Sequence, residues 1–393
     1  MTQAEIKSEF IKLYGGSEQD IRIFYSPGRV NLIGEHTDYN GGFVFPAALT
    51  MGTMIALRVT GKNTIRMKAT DLPDIVEIDT DNLDNYKDLW WGNYQAGVMS
   101  ELKKGGYDIV GCDMLYDDTL PHGGGLSSSA AIEVATALAF ATLSNEKNGI
   151  AEKPDMIKMA LIGQAAEHNY CGVNCGIMDQ FASAMGKANH AIFLDCKNLD
   201  FKLVPLKMDG CKLVITNTNK KHSLASSKYN ERRSECDRGY AILKEALPEI
   251  NCLGDVTAEM FDKAKSLIKD EIILNRVTHV VNEDDRVLRS IEALTKGDIA
   301  LFGKLMNESH DSLRDLYEVT GIELDTLVEE ARKIPGVLGS RMTGAGFGGS
   351  TVSIVREESV EEFKEKVGVG YTEKIGYAPT FYVCDIGDGG SEL

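Results

Sequence analysis

Three glycines run directly into three serines at Pro121-His122-Gly123-Gly124-Gly125-Leu126-Ser127-Ser128-Ser129-Ala130-Ala131, and an apolar helical pattern follows (Ile132, Val134, Ala135, Leu138, Ala139). The spacing predicts a loop feeding a helix N-terminus. Glycines let backbone N–H groups close on an anion, and the helix dipole places partial positive charge at the same point. The serines add hydroxyls for phosphate oxygens or a metal. The segment reads as a phosphate cradle and suggests a nucleotide-using enzyme. A flexible Gly/Ser linker is the alternative, but linkers are seldom followed at once by a strong helix.

The nucleotide folds usually inferred from glycines do not fit. No G-x-x-x-x-G-K-[ST] run occurs, which argues against a P-loop ATPase. A formal G-x-G-x-x-G does occur at Gly344, Gly346 and Gly349, but Ser350-Thr351-Val352-Ser353-Ile354-Val355 follows it. That run is strand-like, whereas a dinucleotide fingerprint lies between a strand and a helix. The glycines of 344–349 are read instead as a second close-approach loop.

A length of 393 residues predicts two domains, each able to bury a core. The net charge of −17 argues against nucleic acid and anionic membranes as partners, since both select a basic face. A nucleotide remains compatible, because Mg²⁺ and local basic residues set the sign inside a cleft. Eight cysteines show no C-x-x-C pair and no disulfide-dense pattern, so reduced thiols in a cytoplasmic protein are expected. Met1 to Asp20 lacks the apolar core of a signal peptide.

Along the chain, residues 2–14 read as an amphipathic helix and 21–66 as strand-rich. Helical spacing resumes at 90–104. A strand near 108–116 leads to the glycine loop and a helix at about 129–144. Another helix covers 154–170, strands follow at 191–195 and 211–216, and 222 to 334 is mostly helical. The end alternates strand (350–355), helix (357–367) and strand (379–384). Strands mixed with runs of helices give an α+β class. The domains are expected as 1–205 and 206–393, with a ligand cleft between them.

Gly28-Arg29-Val30-Asn31-Leu32-Ile33-Gly34-Glu35-His36-Thr37-Asp38-Tyr39-Asn40-Gly41-Gly42 packs polar functional groups between turn glycines. Carboxylates and an imidazole suit a polyol, whose hydroxyls donate to carboxylates and accept from N–H. Such loops carry function when a rigid scaffold displays them; a solvated polar turn is the bland alternative. Within Cys175-Gly176-Ile177-Met178-Asp179-Gln180 a lone carboxylate sits among small and apolar residues. Asp179 is suited to a general base or metal ligand, but taken alone it is better read as an N-cap for the helix containing Phe181 and Met185. Trp90-Trp91-Gly92-Asn93-Tyr94 is suited to stacking on a base, although a bare aromatic cluster is more often core.

Together these loops resemble the sugar- and mevalonate-type (GHMP) small-molecule kinases, and within them the galactokinases. Gly28–Gly42 is similar to the galactokinase signature, Pro121–Ala131 to the ATP-binding loop, and Arg341–Gly349 to the third motif. The likeness runs from about residue 8 to 385. It implies two α+β domains with the active site between them. It also implies transfer of the γ-phosphoryl of ATP to the C1 hydroxyl of α-D-galactose with Mg²⁺. Carried over by position, Asp179 resembles the catalytic base and Arg29 the cation beside it. Glu35, His36, Asp38, Gly176, Asp179 and Tyr229 match sugar-contacting positions, and Ser129 and Glu167 match the Mg²⁺ positions. Gly123, Gly124, Gly125, Leu126, Ser127, Ser128 and Ser129 match the phosphate loop; Trp91 and Tyr94 match the adenine-side aromatics. A monomer acting on small molecules is expected. The alternatives are an N-acetylgalactosamine kinase and a non-catalytic sugar- and ATP-binding regulator on the same scaffold.

Overall fold

The computed structural model describes residues 1–121, 123–220 and 225–393, the side chains of 225–227 excepted. His122 and the first turn of the helical stretch expected from 222 lie outside them. Gln3–Tyr14 (α1) begins at Thr2, whose hydroxyl accepts from the Glu5 N–H while Glu5 accepts from the Thr2 N–H, a reciprocal cap. Ile6 and Phe10, four apart, form its buried face. Strands follow at Arg22–Asn31 (β1), Phe43–Val44 (β2), Pro46–Val59 (β3), Thr64–Ala69 (β4) and Ile75–Asp79 (β5). Asn93–Lys104 (α2) then precedes Cys112–Asp118 (β6). Ser128–Lys147 (α3), Met156–Ala166 (α4) and Met178–Met185 (α5) come next, with a π-helical turn at Glu167–Cys171.

The middle of the chain holds His190–Asp195 (β7), Phe201–Pro205 (β8) and Cys211–Asn217 (β9). Helices Ala225–Ala246 (α6), Ala258–Ala264 (α7), Glu271–Thr295 (α8), Ile299–Ser312 (α9) and Gly321–Arg332 (α10) follow. The chain closes with Val337–Thr343 (β10), Ser350–Arg356 (β11), Val360–Ile375 (α11), Thr380–Cys384 (β12) and Ser391–Glu392 (β13). Among the described residues the strands form three sheets, ordered β13-β1-β3-β6-β4-β5, β10-β11-β9-β12 and β2-β7-β8. Pairing is antiparallel except between β4 and β6. This is the α+β class expected. Strands β5, β8, β10 and β13 are not among those the sequence pattern marks; polar residues interrupt the apolar run in the first three, and β13 has none.

Two details position the site. The β1–β3 register shifts between Pro27 and Arg29. A bulge there bends the strand and re-aims the side chain after it, and that side chain is Arg29. The chain also ends where it began: Ile386 bridges to Leu49, Gly389 N–H donates to Gly186 O, and β13 pairs with β1. The end of the chain thus returns to the first sheet, through Ile386 and β13. The edge of β1 offers unpaired backbone groups, and the tail satisfies them.

One apolar cluster draws on both halves: Val30, Leu32 and Phe45 pack with Leu213, Ile215, Phe302 and Val352. No helix among the described residues is long and apolar enough to cross a membrane. Because this cluster is shared, Phe302→Ala is expected to cost about 3–5 kcal/mol and to unfold the molecule in one denaturant transition. A separate early transition would contradict a shared core.

Candidate active site

A cleft of about 490 Å³ opens between the glycine-serine loop, the loop after β1, the start of α5 and the third motif. Nearly every residue singled out from sequence lines it. Arg29 lies 4% exposed on the bulged end of β1. Its Nε donates to Asp179 Oδ1 at 2.7 Å and its Nη2 to Oδ2 at 2.8 Å. Two parallel charge-assisted bonds of this kind fix both groups in one plane. Its third arm, Nη1, donates to the Gly125 carbonyl at 2.8 Å. Asp179 stands in the first turn of α5, whose cap is Ile177. The capping role expected from local sequence is thus not what Asp179 does; its carboxylate is spent on Arg29 and remains about a third exposed to the cleft.

Ser127, the residue before α3, is held in the left-handed region at φ 61°. A non-glycine residue there is strained, and such strain gathers at functional sites. Its hydroxyl caps no backbone amide of α3 and donates instead to Asp179 Oδ2 at 2.6 Å. The first amides of α3 are left without a side-chain acceptor, which is the condition for an anion site at a helix start. The third motif closes the loop from behind. Ser350 Oγ donates to Gly124 O at 2.6 Å, and a Cβ on Gly344 (φ 87°) would sit 3.0 Å from Gly125 O. The two glycine runs therefore lie backbone to backbone.

At the other end of the cleft the loop after β1 presents Glu35, His36 and Asp38. Glu35 accepts from the Gly344 N–H at 2.8 Å and from Arg341 Nη1 at 3.3 Å. His36 (φ 63°) shares a 2.9 Å hydrogen bond between Nδ1 and the Tyr39 hydroxyl, which in turn meets the Tyr317 hydroxyl at 2.8 Å. Burial first, then His279 nearby, pushes His36 down to about 3, so the imidazole is neutral. Burial pushes Asp38 up to about 7, with the neighbouring Asp179 and Glu35 adding and the Tyr39 N–H and Arg29 opposing. Tyr229 packs its ring against His36 and Tyr39 at 5.8 and 5.2 Å. Gly176 forms the floor, with Asp38 Oδ2 occupying the space a Cβ would need.

Beside the phosphate loop, Glu167 accepts hydrogen bonds from Ser129 and Cys175 and meets the carboxyl of Glu133. Gln180 Nε2 donates to Glu133 Oε2 at 2.9 Å and to Glu167 Oε1 at 3.4 Å. Burial raises both carboxyls, and the Glu167 charge raises Glu133 further. Two buried carboxyls in contact share a proton or a cation. Glu133 Oε1 is buried with no hydrogen-bond partner among the described residues. Glu133 was missed in the sequence. A signal existed: it lies four residues after Ser129, on the same face of α3, as a lone carboxylate in an apolar run. Arg341, Tyr39 and Tyr317 were also missed as site-supporting groups.

One expected placement is corrected. Tyr94 lines the cleft, but Trp91 is 8% exposed and belongs to the apolar cluster with Met67, Ile78 and Leu83. Its neighbour Trp90 is the exposed indole, at 65%. The large indole fills the space beneath α2, where burial outweighs display.

An anion cradle at a helix start, a carboxylate held by arginine and a polar pocket facing both define a small-molecule kinase of the GHMP class. The family models agree: "GHMP kinases N terminal domain" matches residues 93–187 and "GHMP kinases C terminal" matches 290–370. "Galactokinase galactose-binding signature" matches residues 8–59. The chain is 50% identical to a galactokinase of Clostridium beijerinckii over 98% of its length and 97% of the relative. It is 47% identical to a galactokinase of Lactiplantibacillus plantarum, with both chains covered in full. Among solved structures, Lactococcus lactis galactokinase complexed with galactose matches at TM-score 0.94 and 40% identity, covering 99% of each chain. Methanococcus jannaschii mevalonate kinase shares the fold at TM-score 0.66 and 20% identity, over 93% of this chain and 98% of that one. The chain belongs to the galactokinase family and is an ATP-dependent sugar kinase.

Gly176→Ala places a methyl 1.8 Å from Asp38 Oδ2, so the carboxylate must move. The variant is expected to raise the KM for sugar by about tenfold, the loss of roughly one charged hydrogen bond, with the KM for ATP unchanged. Steady-state kinetics with each substrate varied checks this; equal shifts in both KM values would misplace the pocket floor.

Proposed function

We propose that Asp179 and Arg29 carry the transfer of the γ-phosphoryl of ATP to the C1 hydroxyl of α-D-galactose, giving α-D-galactose 1-phosphate and ADP. The observation that supports this most is the bidentate Arg29–Asp179 pair, placed where the glycine-serine loop meets the polar pocket. A sugar hydroxyl is a poor nucleophile, so holding it in line with the γ-phosphate does most of the work. The sugar lies among Glu35, His36, Asp38, Gly176 and Tyr229. Its C1 hydroxyl faces Asp179, which accepts the proton as the new O–P bond forms and the bond to the β-phosphate oxygen breaks. The leaving electrons depart with ADP. Loose transition states of this kind favour late proton transfer.

The backbone of Gly123–Ser129 and the start of α3 hold the phosphates, and Arg29 stabilises the charge that spreads over the phosphoryl oxygens. Tyr94 forms the adenine side of the cleft, with Trp91 beneath in the core. Four carboxylates and one guanidinium line the cleft among the described residues, a poor host for a polyphosphate unless a cation accompanies it. Ser129 and Glu167, with Glu133 behind them, form an all-oxygen set that fits Mg²⁺. Mg²⁺ held there would take few protein ligands, as it commonly does beside substrate phosphates. When bound, Mg²⁺ neutralises phosphate charge in the transition state.

Eight free thiols support a reducing, cytoplasmic setting.

The test is ADP release with galactose, N-acetylgalactosamine, arabinose and mevalonate; strongest turnover with galactose is expected. Asp179→Ala is expected to leave ATP binding intact and to cut turnover by a factor on the order of 10² or more. Near-normal turnover would remove Asp179 from the role.

Asp38 adds a pH signature. Its carboxyl is held up to about 7 by burial, then by Asp179 and Glu35 against the Tyr39 N–H and Arg29; Tyr229 and Cys196 also face it. The ionised form accepts sugar hydroxyl protons, and it gains population as pH rises through that value. The KM for galactose should therefore fall about tenfold from about pH 6 to about pH 8. Asp38→Asn should flatten the profile; an unchanged slope in that variant would assign it to another group.

A further inference from the structure

The loop that faces the sugar belongs to the first sheet, yet its backbone is held from the other side of the molecule. Glu283, on α8, is fully buried. Its Oε1 accepts from two successive backbone N–H groups, Gly34 at 3.0 Å and Glu35 at 3.3 Å. The same oxygen accepts from the Ser309 hydroxyl of α9 at 2.5 Å, and Oε2 accepts from Arg286 Nε at 2.7 Å. One carboxylate thus takes four donors from three segments of chain.

Further bonds converge on Glu35. His279, one turn before Glu283, directs Nε2 at the Glu35 carbonyl at 3.1 Å and Nδ1 at the Ser312 hydroxyl at 2.8 Å. A carbonyl only accepts, so Nε2 carries the proton and Nδ1 accepts from Ser312. Arg341, fully buried on β10, donates to Asn31 O at 2.9 Å, to Glu35 Oε1 at 3.3 Å and to Ser309 Oγ at 3.2 Å. Ser309 therefore links the carboxylate under the loop backbone to the guanidinium under the loop side chain. Burial opposes ionisation of Glu283, but Arg286, His279, Arg341 and the Ser309 bond outweigh it and bring the carboxyl down to about 2. The charge persists at every working pH.

Direction follows from this arrangement. Two adjacent N–H groups on one oxygen orient both peptide planes around Gly34, and those planes set where the Glu35 and His36 side chains leave the chain. His36 then holds a left-handed φ of 63°, a conformation that persists only when its surroundings over-determine it. We propose that Glu283 is a positioning residue for sugar recognition: its buried carboxylate sets the backbone of Gly34–His36, so that the helical half of the chain determines how Glu35, His36 and Asp38 face the sugar. This rests on the assignment of that loop to the sugar.

The experiment uses the full chain. Glu283→Gln keeps the shape, removes the charge and leaves the buried Arg286 without its carboxylate. It is expected to raise the KM for galactose by about tenfold or more, on the scale of a charged hydrogen bond, while the KM for ATP moves less than about twofold. Glu283→Asp should recover part of the loss. A group that only stabilises the fold would lower the melting temperature and kcat and leave both KM values alone; that result, or equal shifts in both, overturns the proposal. If Glu283→Gln does not fold, Ser309→Ala decides: a rise of about threefold or more in the galactose KM alone supports the proposal, and anything less overturns it. Asp38→Asn runs in parallel. If it raises the galactose KM and Glu283→Gln does not, the positioning role fails by itself. If neither does, the assignment of the loop fails and the proposal with it.

Discussion

A single ion pair organises the cleft. Arg29 comes from a bulge in the first strand and Asp179 from the first turn of a helix 150 residues later. The guanidinium spends its remaining donor on the phosphate-loop carbonyl of Gly125, and the carboxylate receives the Ser127 hydroxyl that begins the next helix. The end of β1, the glycine-serine loop and the start of α5 are therefore fixed against one another by charged, nearly planar contacts. Arg29 is buried while Asp179 opens onto the cleft, so removing the carboxylate leaves a buried guanidinium short of its partner.

Around that pair the cleft is short of positive charge. Carboxylates gather on both sides of the glycine-serine loop, and burial raises those of Asp38, Glu133 and Glu167. Such a site is a poor match for a triphosphate alone and a good one for a triphosphate carrying a divalent cation. The same crowding of burial and carboxylates holds the Asp38 carboxyl up to about 7, so a group lining the cleft titrates near neutral pH. Acidic lining and acidic overall charge are the same property at two scales, and both separate this site from proteins that bind nucleic acid.

The two halves are less independent than chain order implies. An apolar cluster spans them, the tail returns to the first sheet, and a buried carboxylate from the helical half holds the backbone of the sugar loop. Binding determinants written on one half are thus shaped by the other. Stability and recognition share contacts here, so substitutions far from any ligand can reach the pocket through backbone placement alone.

Local chemistry was readable from residues close in the chain. The glycine-serine loop, its helix, the β-branched strands and the dense polar loop after β1 depend on neighbours within a few residues, where backbone freedom, capping and periodicity act. The resemblance of three such loops to one family carried the reading from local pattern to a site. What remained closed was which distant groups meet. Local pattern alone reads Asp179 as a helix cap; the resemblance sets it beside Arg29, and only the folded chain brings the two into contact. Of two adjacent tryptophans, only packing decided which is core. Glu133 became a partner of Glu167 only when two helices crossed, and nothing near Glu283 in sequence points to the backbone of Gly34. Those outcomes follow from burial and charge pairing between segments that are separate in the chain, some of them well over a hundred residues apart, and such energies exist only once the chain has closed on itself.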